Sequence, residues 1–143
     1  MKVDQISIFL ENKPGGLEHV TRVLKDSDIN IRALSLADTA DFGILRLIVN
    51  DTSAAEKALS AEGFTVKLSP VVVVEVPDRP GGLHSILEIL GKSGVNVEYS
   101  YAFVDRSGEN ALIIFRFNKT DEAIEALLKN GFTVLPGERV YRL

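Results

Sequence analysis

The sequence contains two copies of one pattern, and this repeat constrains the fold more than any other feature. The tetrapeptide Pro-Gly-Gly-Leu occurs at Pro14 and again at Pro80, an offset of 66 residues. The segment SDINI in the first copy corresponds to SGVNV in the second at the same offset, and GFTV occurs twice, 68 residues apart. The chain is therefore predicted to contain two copies of one unit of roughly 70 residues.

Both copies have the same predicted order of elements, strand-helix-strand-strand-helix-strand. In the first copy the predicted strands are residues 3–10, 29–37, 42–49 and 64–68. One predicted helix begins at Pro14, and a second is capped by Thr52 or Ser53. In the second copy the predicted strands are residues 71–76, 95–104, 111–117 and one from Phe132, with helices from Gly81 and Asp121. These assignments follow from β-branched runs, helical apolar spacing, and proline or glycine at the ends.

This order predicts an α+β fold of two tandem ferredoxin-like βαββαβ units. Each unit is expected to form a four-stranded antiparallel sheet with both helices on one face. We assign the units to residues 1–69 and 70–143, joined by little more than Ser69-Pro70. A unit of this size buries only about 60% of its unfolded surface, so we expect the two to dock.

Composition excludes several classes of function. The net charge is −4, from 16 basic and 20 acidic residues without a Lys/Arg cluster, which disfavours nucleic-acid binding. The chain has no cysteine, so disulfides and cysteine-based zinc sites are excluded. Its uninterrupted apolar runs, such as residues 71–74 and 111–115, are at most five residues long, against the ~20 residues that span a bilayer. Since the N-terminus also lacks a signal-peptide pattern, we expect a cytoplasmic protein.

The titratable residues do not indicate an enzyme. His19 and His84 do not correspond between the copies and have no evident Asp or Ser partner. Each falls on an early helical turn beside the apolar residues, so we expect both to be exposed. No cofactor is expected.

The two Pro-Gly-Gly loops are the candidate binding elements. Gly15 and Gly16 lack side chains, so a ligand can approach their backbone closely. They precede a predicted helix, whose unpaired N–H groups and dipole favour an anion as small as a carboxylate. Polar residues flank the loops at one spacing in both copies: Asn12 and Asn30 in the first, Asp78 and Asn96 in the second.

These segments resemble the ACT domain, a small regulatory module that binds amino acids. The resemblance rests on ENKPGGLEHVTRVLKDSDINI, on PDRPGGLHSILEILGKSGVNV, and on the N/D-x-P-G-G-L…N arrangement in both copies. It implies two units paired side by side through edge strands, with an amino acid in the groove between them. The glycine loop of one unit and the strand asparagine of the other would hold the ligand.

Carried over to this chain, the resemblance implies two ligand sites and a non-catalytic, stand-alone amino-acid sensor. Its partner would be a regulated enzyme or a second copy of the chain, as in a homodimer. The first site would contain Asn12, Pro14, Gly15, Gly16 and Leu17 with Asn96, and the second Asp78, Pro80, Gly81, Gly82 and Leu83 with Asn30. An ionised Asp78 only accepts hydrogen bonds, so the Asn12 site is predicted to bind more tightly.

Three alternatives remain open at this point. In the first alternative, the asparagines and Asp78 serve only as caps and turn residues, and the glycines serve only the geometry of the backbone. In the second, the protein is an interaction subunit that has lost its ligand. In the third, the chain is a small acylphosphatase-like hydrolase. Such an enzyme would need an arginine in the loop before the first helix, and the second copy has Arg79 there, whereas the first copy has Lys13.

Overall fold

The computed structural model describes residues 1–38 and 41–143. The chain divides into two compact units that follow the two copies of the repeat except at the termini. The first unit contains residues 4–69 and Arg142, and the second contains residues 1–3, 70–141 and Leu143.

The first unit has the predicted βαββαβ order. Its elements are β1 (Val3–Glu11), α1 (Gly16–Asp26), β2 (Ile31–Asp38), β3 (Phe42–Val49), α2 (Thr52–Ala61) and the start of β4 (Val66–Pro77). The strand order is β2-β3-β1-β4, and β3 pairs antiparallel with both β1 and β2. This is the ferredoxin-like arrangement that the repeat predicts.

One hydrophobic core holds the first unit together. It consists of alternate residues of the central strands and the apolar faces of both helices: Ile6, Ile8, Leu10, Leu45, Leu47, Val49, Val20, Val23, Leu24, Ala55 and Leu59. Because alternate strand residues point to one face of a sheet, a core shared by α1 and α2 places both helices on that face.

The second unit repeats this design around its own core. Its elements are the rest of β4, α3 (Gly82–Lys92), β5 (Val97–Ser107), β6 (Asn110–Phe117), α4 (Thr120–Lys129) and a short α5 (Gly137–Val140). β6 pairs antiparallel with β4 and β5. Phe115 and Phe117 are buried, with stacked rings whose centroids lie 5.4 Å apart, and they pack with Ile86, Leu90 and residues of α4.

The last strand of each copy differs from its prediction. β4 runs without a break from Val66 to Pro77, so Ser69-Pro70 lies inside a strand instead of forming a linker. The predicted strand from Phe132 is reduced to a single antiparallel bridge between Val134 and Val74. The Leu135 N–H still donates to the Val73 carbonyl oxygen at 2.9 Å. The next residue, Pro136, lacks an N–H group to extend the ladder and caps α5.

The second helices of the two units start differently although their backbones agree. Asp51, and not the predicted Thr52 or Ser53, caps α2, and its Oδ1 accepts a hydrogen bond from the Ala54 N–H at 3.1 Å. The corresponding residue of α4 is Lys119, whose side chain makes no capping hydrogen bond. The backbone angles are close, with φ −138° at Asp51 and −131° at Lys119.

These caps predict opposite effects for two substitutions. Asp51→Ala removes an N-cap and should lower the free energy of unfolding by about 1 kcal/mol. Lys119→Asp should raise it by up to about 1 kcal/mol, because the backbone already has the angles that a capping aspartate adopts. Urea unfolding of the full chain measures both, and a Lys119→Asp variant no more stable than the wild type contradicts the prediction.

Candidate functional site

The first Pro-Gly-Gly segment forms a type II β-turn that leads into α1. The Gly16 N–H donates to the Lys13 carbonyl oxygen at 3.3 Å. Gly15 has φ 85° and ψ −5°, the left-handed angles that this turn requires at its third residue, and Pro14 fills the second position. α1 therefore begins at Gly16, two residues later than predicted, because the angles of Gly15 are not helical.

The second Pro-Gly-Gly segment has the same geometry. The Gly82 N–H donates to the Arg79 carbonyl oxygen at 3.0 Å, and Gly81 has φ 86° and ψ −6°. α3 accordingly begins at Gly82, one residue after the predicted start.

The second glycine of each segment lies close to the end of the preceding strand. A Cβ atom on Gly82 would overlap the carbonyl oxygen of Pro77, and a Cβ on Gly16 would lie 3.3 Å from that of Glu11. Both glycine pairs therefore have a backbone reason to be glycine, whether or not a ligand binds.

The glycine N-caps leave the first turns of α1 and α3 without a capping side chain. In α1 the first helical hydrogen bond runs from the His19 N–H to the Gly15 carbonyl oxygen at 3.0 Å, and the Gly16 N–H is used by the turn. The N–H groups of Leu17 and Glu18 thus make no hydrogen bond to a side chain of the N-cap residue, which is a glycine. Amides of this kind at a helix N-terminus favour an anion.

A pocket of about 320 Å³ lies beside Asn12 in the first unit. It is lined by Leu10, Glu11, Asn12, Lys13, Leu17, Leu36, Ala37 and Gly43. The Asn12 N–H donates to the Asp41 carbonyl oxygen at 2.9 Å, which ties the loop to the turn between β2 and β3. The pocket therefore has one polar side, from the loop, and one aliphatic side, from α1 and the hairpin.

The corresponding pocket at Asp78 has a different character. It measures about 590 Å³ and is lined by Pro77, Asp78, Arg79, Gly108, Glu109 and Asn110. Two carboxylates and one guanidinium group line it, without a leucine. Leu83, the counterpart of Leu17, is 40% exposed and does not contribute to it.

The two strand asparagines lie in matching hydrogen-bonded pairs at the open ends of the β2–β3 and β5–β6 hairpins. The Asn30 N–H donates to Asn50 Oδ1 at 2.9 Å, and the Asn50 N–H donates back to the Asn30 carbonyl oxygen at 3.1 Å. Asn96 and Asn118 form the same pair, at 2.9 and 3.2 Å. Sequence reasoning missed Asn50 and Asn118, although they correspond between the copies at the same offset of 68 residues as GFTV.

Within one unit the two halves of the predicted site are far apart. Asn12 precedes α1 and Asn30 follows it, and a helix of 11 residues is about 16 Å long at 1.5 Å per residue. No single unit therefore brings its own loop and its own asparagine together. The pairing of Asn12 with Asn96, and of Asp78 with Asn30, stays a prediction.

Neither histidine lines the pockets at Asn12 and Asp78. His19 lines a separate pocket of about 470 Å³ together with Pro14, Gly15 and Gly16 of the loop. The His84 side chain is 77% exposed, as predicted. His19 was predicted to be exposed, but its ring packs on Phe64 with centroids 4.9 Å apart, and its Nε2 lies 3.7 Å from Glu62 Oε2. The aromatic contact, invisible in the linear sequence, covers part of the imidazole.

A salt bridge on the exposed surface of α3 perturbs one carboxyl group. Lys92 Nζ donates to Glu88 Oε1 at 2.8 Å, and this hydrogen bond, with the charges of Lys92 and then His84, lowers the pKa of Glu88. The spacing of four residues is that of an ordinary helix-surface ion pair, so Glu88 is not a candidate acid or base.

Residues 1–38 and 41–143 contain no cluster of three or more His, Cys, Asp or Glu residues placed to hold a metal ion. In the same part of the chain, no helix has the length and hydrophobicity needed to cross a membrane.

Comparison with known proteins identifies a family and a set of similar structures. The family model of the ACT domain pair matches residues 1–142. Protein BT0572 from Bacteroides thetaiotaomicron, known from a crystal structure, is 41% identical with a TM-score of 0.94, over 100% of this chain and 98% of its own. None of the curated proteins compared with the chain matches it.

Two further structures share the fold at lower identity. The regulatory subunit of aspartate kinase from Thermus thermophilus, in a ligand-free form, is 18% identical with a TM-score of 0.63, over 90% of this chain and 92% of its own. Aspartate kinase from Synechocystis is 19% identical with a TM-score of 0.60, over 95% of this chain and 28% of its own. At these identities the comparison establishes the fold alone.

The close approach at Gly82 predicts unequal effects of alanine at matched positions. Gly82→Ala should lower the free energy of unfolding by about 2–3 kcal/mol, because the new methyl group overlaps backbone. Gly16→Ala should cost about 1 kcal/mol or less, since a shift of a few tenths of an ångström relieves its contact.

The control is Gly91→Ala in α3, where nothing lies within 4 Å of the added methyl group. Alanine there should stabilise by about 0.5–1 kcal/mol through helix propensity. Equal losses for Gly82→Ala and Gly16→Ala in urea unfolding would contradict the packing argument.

Proposed function

Since the chain belongs to the ACT domain pair family, we propose that it is a regulatory protein without catalytic activity that binds a free amino acid. The observation that carries this proposal is the pocket beside Asn12, of about 320 Å³. Ligand pockets of roughly 300–1,000 Å³ are usual for small molecules, so this one suits a small ligand.

The groups around the pocket match the two ends of an amino acid. Leu17 of the uncapped first turn of α1 lines the pocket, and the proposal uses the amides and the dipole of that turn for the carboxylate. The side-chain amide of Asn12 has both donor and acceptor groups, so it suits a ligand that has a carboxylate and an ammonium group. Leu17 and Leu36 form an aliphatic surface for the side chain.

The proposal includes one residue from the other unit at each site. The proposal assigns Asn96 to the Asn12 site, because the resemblance to ACT domains implies an asparagine from the other unit. Likewise Asn30 completes the site of the Asp78 loop. The backbone of each asparagine is held by Asn50 or Asn118, which fixes the position from which its side chain would reach the ligand.

The Asp78 site is proposed to be the weaker of the two. Among the side chains that the structure describes, Asp78 and Glu109 line its pocket together with Arg79, and their formal charges sum to −1. The lining of the Asn12 pocket contains Glu11 and Lys13, whose charges cancel. A ligand carboxylate is therefore repelled more at Asp78 than at Asn12.

Regulation in this proposal is a shift of population. An amino acid that binds one conformation better than another favours that conformation by its difference in affinity. The partner that reads the conformation is an enzyme or a second copy of this chain, in the cytoplasm. The similarity in fold to the aspartate kinase regulatory subunit of Thermus thermophilus supports an enzyme as the partner.

One alternative has a specific observation in its favour. Backbone geometry accounts for the glycines. The hydrogen bonds with Asn50 and Asn118 account for Asn30 and Asn96. An interaction subunit that has lost its ligand would keep the same residues. Ligand binding itself separates the two functions.

We expect at least one of the twenty amino acids to raise the melting temperature of the full chain. A ligand at 100 times its Kd stabilises by about 2.7 kcal/mol. Asn12→Ala should weaken that binding by about tenfold or more, because a hydrogen bond to a charged group is lost. Asp78→Ala is the matched variant and should leave the tighter site unchanged in a calorimetric titration.

The titration distinguishes an amino-acid-binding protein from an interaction subunit that has lost its ligand. Binding of no amino acid supports the ligand-free interaction subunit. Two sites of equal affinity, with Asn12→Ala harmless, would overturn both the inequality of the sites and the assignment of Asn12.

A further inference from the structure

We propose that the amino acid bound beside Asn12 has an uncharged aliphatic side chain, selected by an apolar wall made of Leu17, Leu36 and Ala37. This inference rests on the proposed function of the same pocket and adds the class of its ligand. The candidates are valine, leucine, isoleucine and methionine.

The wall is built by two elements that meet at the end of the first Pro-Gly-Gly loop. Leu17 follows the loop on α1 and packs against the core of its unit. Leu36 and Ala37 come from β2, opposite Leu45 and Ile44 of β3. Leu10, at the end of β1, is only 5% exposed and forms the base of the pocket.

Leu36 is the part of this wall that a ligand would cover. Its side chain is 50% exposed, whereas Leu10 is buried and Leu17 and Ala37 are half-buried. Each methylene group that a ligand buries against such a surface strengthens binding by about fourfold. An aliphatic side chain therefore gains affinity here that glycine or alanine does not.

The charges around the pocket do not favour an acidic or basic side chain. Of the side chains that the structure describes, Glu11 and Lys13 are the charged ones in its lining. Glu11 Oε2 lies 3.1 Å from Lys13 Nζ, so each already has a counter-ion. A charged ligand side chain would lose solvation without an unpaired counter-charge in this lining to replace it.

The hairpin also limits the size of the pocket. Even a Cβ atom on Gly43 would lie 3.3 Å from Leu36 Cδ1 and 3.3 Å from the Ala37 carbonyl oxygen. The volume of about 320 Å³ is at the small end of the usual range. Both observations favour a medium-sized aliphatic side chain over a large aromatic one.

The second copy does not contain this wall. The counterparts of Leu36, Ala37 and Gly43 are Ala102, Phe103 and Ala111. None of these lines the pocket at Asp78, which is surrounded by charged, polar and turn residues. Aliphatic selectivity is thus expected at the Asn12 loop alone.

The test is a calorimetric titration of the full chain with leucine, alanine, aspartate, lysine and phenylalanine. Leucine should bind at least about tenfold more tightly than the other four. Leu36→Ala should weaken leucine binding about tenfold while it leaves the affinity for alanine within about twofold. Leu34→Ala is the matched control, because Leu34 lies on the same strand, is 45% exposed and does not line the pocket.

A third variant separates side-chain selection from recognition of the ligand backbone. Asn12→Ala should weaken leucine and alanine binding by the same factor, because it acts on the part that the two share. A Leu36→Ala variant that weakens both amino acids equally overturns the role of the wall.

The failures of the two proposals are distinguishable. If aspartate, lysine or phenylalanine binds most tightly, the aliphatic assignment is wrong and the amino-acid-binding function stands. If none of the twenty amino acids binds, both proposals are wrong.

Discussion

The left-handed glycine at the start of α1 connects the core of the first unit to its candidate site. Gly15 adopts φ 85°, so β1 can end, reverse direction in a four-residue turn and continue as a helix. The same reversal lays the apolar face of α1 over Ile6 and Ile8 in the core. It also leaves the first amides of α1 without a capping side chain, beside the pocket of Asn12.

The duplication keeps this backbone and changes the groups around it. Gly15 and Gly81 have nearly equal φ and ψ angles. Asn30 and Asn96 make the same hydrogen bonds to the asparagine at the end of the neighbouring strand. The pockets nevertheless differ, because their lining comes from the variable hairpins and from the residues that flank each turn. A fold of this kind is thus preserved by its core and turns, while ligand preference depends on a few side chains at the loop.

Much of the fold was predictable, because its signals are local. Alternation of apolar residues identified β1 and β3, helical spacing identified α1 to α4, and Pro-Gly marked the starts of α1 and α3 to within two residues. The predicted elements were wrong where contacts between residues far apart in the sequence determine the secondary structure. Whether residues after Phe132 form a strand depends on how many hydrogen bonds they make to β4. They make two, through the Thr133 carbonyl oxygen and the Leu135 N–H, which together give a single bridge at Val134.

The sequence by itself determined the number of units, the order of their elements and the two loops that are candidate binding elements, because repeats and periodicity are properties of neighbouring residues. It did not reveal that Leu36 and Gly43 share a pocket with Asn12, or that Asn50 holds Asn30. Those residues are separated by 20 positions or more along the chain. Only the pairing of β1 and β2 with β3 and the packing of α1 on the sheet bring them together.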